Sequence, residues 1–255
     1  MSETVKQIQK HLSQLTDRGD PYVTTLQTDT RKGVQQALTR FYRRIDRLNA
    51  VRAAFRRRFR YEEALWKDGC RYVAGMDEVG RGPLAGPVVT CAVILQPDFD
   101  LVEVTDSKQL TRHEREQLYL KIVNKAVEVS IAVNDRIAID RLNIYAATQD
   151  AMIRAVQNLH HRPDHLIVDA VPLQLDIPQT TLIKGDQKSV SVAAASIVAK
   201  EYRDHLMRDY DRVYPGYGFA ENMGYGTQEH LAGLAAHGAT PIHRRSFRPV
   251  QDYLN

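Results

Sequence analysis

The pattern of the chain predicts an α/β architecture preceded by a small all-helical appendage, and three observations carry that prediction. From about residue 71 onward, short apolar segments of strand character alternate with segments of helical period. Before that point apolar residues recur only at helical spacing. Charge divides at the same place: residues 1–72 hold 16 Lys+Arg and 8 Asp+Glu, a net of +8, whereas the remainder holds 19 and 23, a net of -4. The predicted division is therefore 1–70 for the extension and 71–255 for the main domain, whose last part is helical. At 255 residues, 43% hydrophobic and 26% charged, the chain can bury a sizeable core, and wholesale disorder is excluded.

Each element follows from local pattern. Val5, Ile8, Leu12 and Leu15 mark one side of a short helix that stops at the Gly19-Asp20-Pro21 breaker. Val34, Leu38, Phe41, Ile45 and Leu48 recur at steps of four and three, and Phe55 and Phe59 extend the stripe into a long amphipathic helix. Its other face is basic, with Arg40, Arg43, Arg44, Arg47, Arg52, Arg56, Arg57, Arg58 and Arg60. Such a face either follows a phosphate backbone or is simply solvated. Strands are predicted at 71–76, 87–95, 128–134, 165–170 and 180–185, and helices at 111–126, 143–160 and 189–210.

Several classes are excluded. The longest mostly apolar run, 84–95, contains Gly, Pro and Thr and falls short of the roughly 20 residues of a membrane span. The N-terminus is too polar for a signal peptide, so a cytoplasmic location with no membrane contact is expected. Cys70 and Cys91 have neither the number nor the spacing of a disulfide framework or zinc site.

Acids recur where predicted strands end: Asp77 and Glu78 together, Asp169 after LIV, and Asp186 just beyond LIKG. Neighbours on a strand point to opposite faces, so Asp77 and Glu78 serve one site only if the strand distorts, a distortion expected from Gly80, Gly82 and Pro83. Acids from separate strands converge at the open end of an α/β sheet, and four carboxylates together call for a cation. Oxygen-only ligands suit Mg²⁺ or Mn²⁺, and two such ions roughly 3.5–4 Å apart are the usual apparatus for attack at a phosphodiester. From residues alone two readings stay open: a metal-dependent enzyme on phosphate substrates, and a non-catalytic nucleic-acid binder.

Eight motifs then add a resemblance. DEVGRGPLAGPVV (77–89), DSKQL (106–110), VDA (168–170), KGD (184–186), SVAAASIVAK (191–200), YPGYGF (214–219), GYGT (224–227) and HRRSF (243–247), in this order, resemble the bacterial ribonuclease HII family. The similarity runs from about residue 72 to near 250, and is strongest to members with a basic helical N-terminal extension. It implies a ribonuclease H-like fold, a mixed five-stranded sheet flanked by helices. It also implies an endoribonuclease that hydrolyses the RNA strand of RNA/DNA hybrids and cuts 5′ of ribonucleotides embedded in duplex DNA, leaving 3′-OH and 5′-phosphate ends. The biological setting would be ribonucleotide removal in DNA replication and repair.

Carried over motif by motif, Asp77, Glu78, Asp169 and Asp186 match the catalytic, metal-binding acids for two divalent cations, Mn²⁺ or Mg²⁺, with Asp77 bridging them. Gly80, Arg81 and Gly82 match the backbone that reads the 2′-hydroxyl, and Tyr225 the ring that packs on the sugar at the RNA–DNA junction. Lys108 and Lys184 are candidates for phosphate contact. Ala193, Ala194, Ala195 and Ser196 read as helix packing, and no histidine is needed as a base. Asn222 and Met223 depart from a His-Lys pair common in relatives. A monomer is expected, and the sequence names no protein partner. The sister ribonuclease HIII type would carry a larger N-terminal domain, and a binder that had lost cleavage would have lost an acid; all four are present.

Overall fold

The computed structural model describes residues 3–254. Two compact units meet between Arg56 and Arg57. This boundary lies inside the long helix, so residues 57–67 belong to the second unit, ahead of the division expected at residue 70.

The first unit contains α1 (Val5–Gln14), α2 (Pro21–Leu26) and the first part of α3 (Lys32–Lys67). A capping box between Thr4 and Gln7 starts α1. Asp20 caps α2 and Pro21 opens it, so the residues read as a breaker also begin a helix. Ile8, Leu12, Val23, Leu26, Val34, Leu38, Phe41 and Ile45 form the core, whereas Leu48 of the predicted stripe is exposed. Arg44 donates to the carbonyls of Leu12 (2.8 Å) and Leu15 (2.5 Å), tying off the end of α1. Arg40, Arg43, Arg47, Arg52 and Arg56 remain exposed.

The second unit is built on a five-stranded mixed sheet of order β3-β2-β1-β4-β5. Its strands are β1 (Val73–Val79), β2 (Val88–Ile94), β3 (Glu128–Asn134), β4 (His165–Asp169) and β5 (Gln179–Leu182). β2 runs antiparallel to β1 and β3; β4 and β5 run parallel to β1. Between them lie α4 (Arg112–Lys125), α5 (Arg136–Leu142) and α6 (Ile144–Gln157), and after them α7 (Val190–Val213), α8 (Phe219–Asn222), α9 (Gln228–His237) and α10 (Arg248–Gln251). Helix α5, capped by Asp135, is an element the sequence pattern did not reveal.

Alternation along β1 sends Ala74 and Met76 into a core with Ala92, Ile94, Ala151, Met152 and Ala155, which is the α6 face of the sheet. Gly75 faces α7, where a Cβ would stand 2.2 Å from the carbonyl carbon of Ser191. The helix therefore lies directly on the strand, and the small residues Ala193, Ala194 and Ala195 are fully buried there, as their packing role predicted.

The last turns of α3 belong to this packing. Tyr61, Leu65 and Trp66 pack against Val73, Ile167, Leu182 and Val192. Glu62, fully buried, accepts from Ser189 Oγ (2.5 Å), Ser191 N (2.8 Å) and Ser191 Oγ (2.6 Å) at the start of α7. Burial pushes its carboxyl above the ordinary value, and Oε2 has no hydrogen-bond partner. Arg58, predicted on the basic face, instead donates to the Val104 carbonyl at 2.7 Å.

Candidate active site

β1 places Asp77 and Glu78 on a strand that stays regular. Asp77 pairs with Cys91, Glu78 with Thr90 and Val79 with Val89. The distortion expected from Gly80, Gly82 and Pro83 begins at Gly80, φ +90°, and does not reach the two acids, which stay in the ladder. What brings both acids to one cavity is the end of pairing on the other side. β1 pairs with β4 only as far as Met76 and Val168, leaving the edge beside Asp77 and Glu78 open.

A cleft of about 330 Å³ is lined by Asp77, Glu78, Asp169 and Asp186. Asp169 is the last residue of β4, and its Oδ1 accepts from Gly185 N at 2.7 Å. That bond ties the end of β4 to the short 3₁₀ turn Gly185–Gln187 that carries Asp186. Lys184 enters this turn in the left-handed region, φ 57°. Its side chain is exposed and does not line the cleft, whereas Lys108 does, with Nζ 3.5 Å from Asp186 Oδ2. Tyr225, about half exposed, lines the cleft too. Gly82 lies beside the tyrosine, since a Cβ there would stand 3.4 Å from Tyr225 Cε1. Arg81 reaches Glu78 at 3.3 Å.

The electrostatics are those of crowded acids. Burial, then Glu78 and Asp169, raise the Asp77 carboxyl well above the carboxylate range, opposed by hydrogen bonds from Ser196 and the Glu78 amide. Burial also raises Glu78, with Arg81 opposing it. Asp186 is raised by burial and by Asp106. A cluster that resists ionisation on its own is one that gains from a hard cation, and its donors are carboxylate oxygens throughout. The residues therefore fit a divalent-metal centre.

Several contributors were not singled out from sequence. Ser196 lines the cleft beside Asp77, whose upward shift it opposes, and its hydroxyl pairs with that of Ser107 at 3.2 Å, so it is part of the cleft as well as of the helix packing. Its signal was available: Ser196, Lys200 and Arg203 fall on one face of α7, and all three line the cleft. Asp106, buried, accepts from Lys108 N (2.9 Å) and from Gln187 Nε2 (3.1 Å), joining the DSKQL segment to the Asp186 turn. Burial opposes its ionisation, yet these donors and the Lys108 charge hold it below the ordinary value.

Two fully buried arginines hold the glycine-arginine-glycine segment. Arg244 donates to the carbonyls of Gly80, Arg81 (2.9 Å) and Gly86 (3.0 Å). Arg203 donates to those of Pro87 (2.8 Å), Ala85 (3.1 Å) and Met223 (2.9 Å). Gly80 must be glycine here, because its φ is positive and a Cβ would stand 2.2 Å from Arg203 Nε. Asn222 braces the tyrosine loop, donating to Tyr217 O (2.7 Å) and accepting from Gly224 N (2.8 Å), while Met223 takes a left-handed conformation.

Comparison with known proteins places the chain in a family. The family described as Ribonuclease HII matches residues 74–250, and the Ribonuclease HII N-terminal domain matches 4–66. A ribonuclease HII of Limosilactobacillus reuteri is 74% identical over 253 residues, 99% of each chain. That of Levilactobacillus brevis is 56% identical over 98% of this chain and 97% of its own. Among solved structures, ribonuclease H2 of Pyrococcus horikoshii superposes with a TM-score of 0.61 at 25% identity, covering 71% of this chain and 96% of the other. Bst-RNase HIII, solved with Mn²⁺, shares the fold at a TM-score of 0.54 and 20% identity, over 71% of this chain and 68% of its own. The expected mixed sheet flanked by helices, with a helical N-terminal region, is thus the observed one. No helix among the described residues is long and apolar enough to cross a membrane. With both its segments matched, the chain belongs to the ribonuclease HII family of hydrolytic endoribonucleases, which cleave the RNA strand of RNA/DNA hybrids.

Proposed function

We propose that this chain, besides cutting continuous hybrids, nicks duplex DNA on the 5′ side of an embedded ribonucleotide, leaving 3′-OH and 5′-phosphate ends, and so serves ribonucleotide removal in replication and repair. Asp77, Glu78, Asp169 and Asp186 would hold two divalent cations, Mg²⁺ or Mn²⁺. When bound, the pair would supply a nucleophile from water at neutral pH and stabilise charge on the leaving oxygen. The observation that carries this reading is the convergence of four carboxylates from β1, β4 and the turn after β5 on one cleft that also holds Tyr225.

The chain's own residues would do the rest. Ser196 orients the Asp77 carboxyl. The Gly80-Arg81-Gly82 backbone, held from behind by Arg244, offers a rigid surface to the 2′-hydroxyl, the group by which a protein tells RNA from DNA. Tyr225 would pack on the sugar that follows, and Lys108 would meet a phosphate from the rim of the cleft. The exposed arginines of α3 would extend the contact along the duplex backbone. A cytoplasmic monomer acting on these duplexes is the expected form.

The test is incubation of the purified chain with a duplex bearing one ribonucleotide, adding Mg²⁺ and Mn²⁺ in turn. A single nick 5′ of the ribonucleotide with a 3′-OH end is the expected product. Cleavage that persists in excess chelator, or a cut confined to continuous hybrids, would refute the reading.

A further inference from the structure

Two histidines lie behind the tyrosine loop, both fully buried and both unused by the chemistry above: His230 on α9 and His243 in the segment before α10. They are linked to each other through Nε2 and Nε2 at 2.9 Å. One of the two nitrogens must donate and the other accept, and the outer ends decide which. Thr240 N lies 2.9 Å from His243 Nδ1, and an amide can only donate. Nδ1 of His243 therefore accepts, and a neutral ring carries its proton on Nε2. That proton is donated to His230 Nε2, so the His230 proton sits on Nδ1. Nδ1 of His230 lies 2.9 Å from the Tyr225 carbonyl oxygen, which can only accept. The two ends, read independently, agree on a single arrangement running from Thr240 through both rings to Tyr225.

The rings around the relay make it a fixed object. Phe219 meets His230 edge-on at 5.1 Å, and Tyr217, stacked on Phe219 at 5.2 Å, lies 5.2 Å from His243. Burial in this cage lowers both imidazole pKa values, that of His243 to about 4 with His230 reinforcing the effect, in keeping with the neutral rings that the bonds from Thr240 N and to Tyr225 O require. His243 also forms a bridge with Ala85, and Arg244 N donates to Leu84 O at 2.9 Å. The segment that ends the relay is therefore anchored to the same loop that carries Gly80, Arg81 and Gly82.

We infer that His230 and His243 are positioning residues for Tyr225: the directed relay fixes the backbone of the tyrosine so that its ring stands over the cleft at the height needed to test the sugar. This rests on the reading of Tyr225 given above. The rings touch no substrate in this account and act only through the tyrosine carbonyl.

Two measurements test it. Nitrogen-15 spectra of the imidazoles in the unsubstituted chain at pH 7 should show His230 protonated at Nδ1 and His243 at Nε2. The opposite tautomers, or an imidazolium at either position, would overturn the relay. This reading uses the native chain and so decides even where a substituted chain fails to fold. The second measurement is the ratio of kcat/KM on a single-ribonucleotide duplex to that on a continuous hybrid.

His230→Leu removes the donor and should lower the ratio at least about fivefold, within the hundredfold or so that a 1 Å misplacement can cost. His230→Asn, whose amide nitrogen stands near the imidazole Nδ1 position, should restore most of it. Equal losses on both substrates with His230→Leu, alongside a lowered ratio for Tyr225→Ala, would overturn the inference alone. An unchanged ratio for Tyr225→Ala would instead overturn the reading of Tyr225 on which it stands.

Discussion

Where the chain is cut decides whether the catalytic unit survives. Deleting residues 1–70 removes Tyr61, Leu65 and Trp66 from Val73, Ile167, Leu182 and Val192, and takes away the Glu62 carboxylate at the start of α7. Fully transferring one such apolar side chain to water costs about 1.5–3 kcal/mol, so half-exposing the four covered residues costs about 3–6 kcal/mol. Three lost hydrogen bonds at about 1 kcal/mol each bring the total to roughly 6–9 kcal/mol. A domain's whole stability is about 5–15 kcal/mol. The 71–255 fragment should therefore be unfolded or nearly so, while the 57–255 fragment, which retains these contacts, should fold.

Urea titration followed by near-ultraviolet circular dichroism separates the two outcomes, and equal midpoints for the fragments would refute the packing argument. The folded fragment also isolates the role of the extension. Residues 1–56 hold 11 Lys+Arg against 5 Asp+Glu, a net of +6. Losing the phosphate contacts this charge makes should flatten the salt dependence of duplex binding by about 0.9 in log-log slope per contact. The loss should fall mainly on KM, since the four acids and Tyr225 all lie in the retained unit. An unchanged slope would show that the arginines of α3 are only solvated.

Two further outcomes are expected. Asp77→Asn should abolish cleavage with folding and duplex binding retained; a variant keeping a tenth of the wild-type rate in saturating Mn²⁺, a barrier change of only about 1.4 kcal/mol, would end the metal assignment. Glu62, whose carboxyl is raised by burial, contributes stability that is present below the ordinary carboxyl value and lost as pH rises through the raised one, so the urea midpoint should fall over that window and Glu62→Gln should flatten the fall.

The parts of the fold that sequence revealed are those whose signal is local. β3 alternates along its length and is predicted to the residue; α6 carries regular apolar spacing, and α4 opens on a capping box between Thr111 and Glu114. The four acids were legible because each follows an apolar strand. Helix α2 was hidden because Asp20-Pro21 is both a breaker and a helix start, and α5, seven residues long, is too short to show a period. Ser196 reads only as packing in the sequence because Asp77, with which it shares the cleft, lies more than a hundred positions away. Arg58 reads as more of a charged helix surface, and nothing in the neighbourhood of Arg58 or Glu62 announces Val104 or Ser191 as partners.

The same distance in sequence explains why the contacts that Arg203 and Arg244 make with the Gly80–Pro87 loop are not legible in the sequence, although Arg244 lies within the HRRSF motif. Arg203 and Arg244 spend their donors on six backbone carbonyls, five of them between Gly80 and Pro87. Burial lowers their pKa values to about 10 and about 9, so both remain charged at neutral pH. A lysine at either position would bring one charge but no planar fork, and could not serve three carbonyls spread over several residues. Five inward-turned carbonyls leave the Gly80–Pro87 loop with little freedom to adapt, so on the proposed reading the surface it would offer to a 2′-hydroxyl is set before a duplex arrives. Discrimination by the proposed route would then require no ordering of the loop on binding, and a deoxyribose would simply fail to supply the hydroxyl that the fixed backbone would meet.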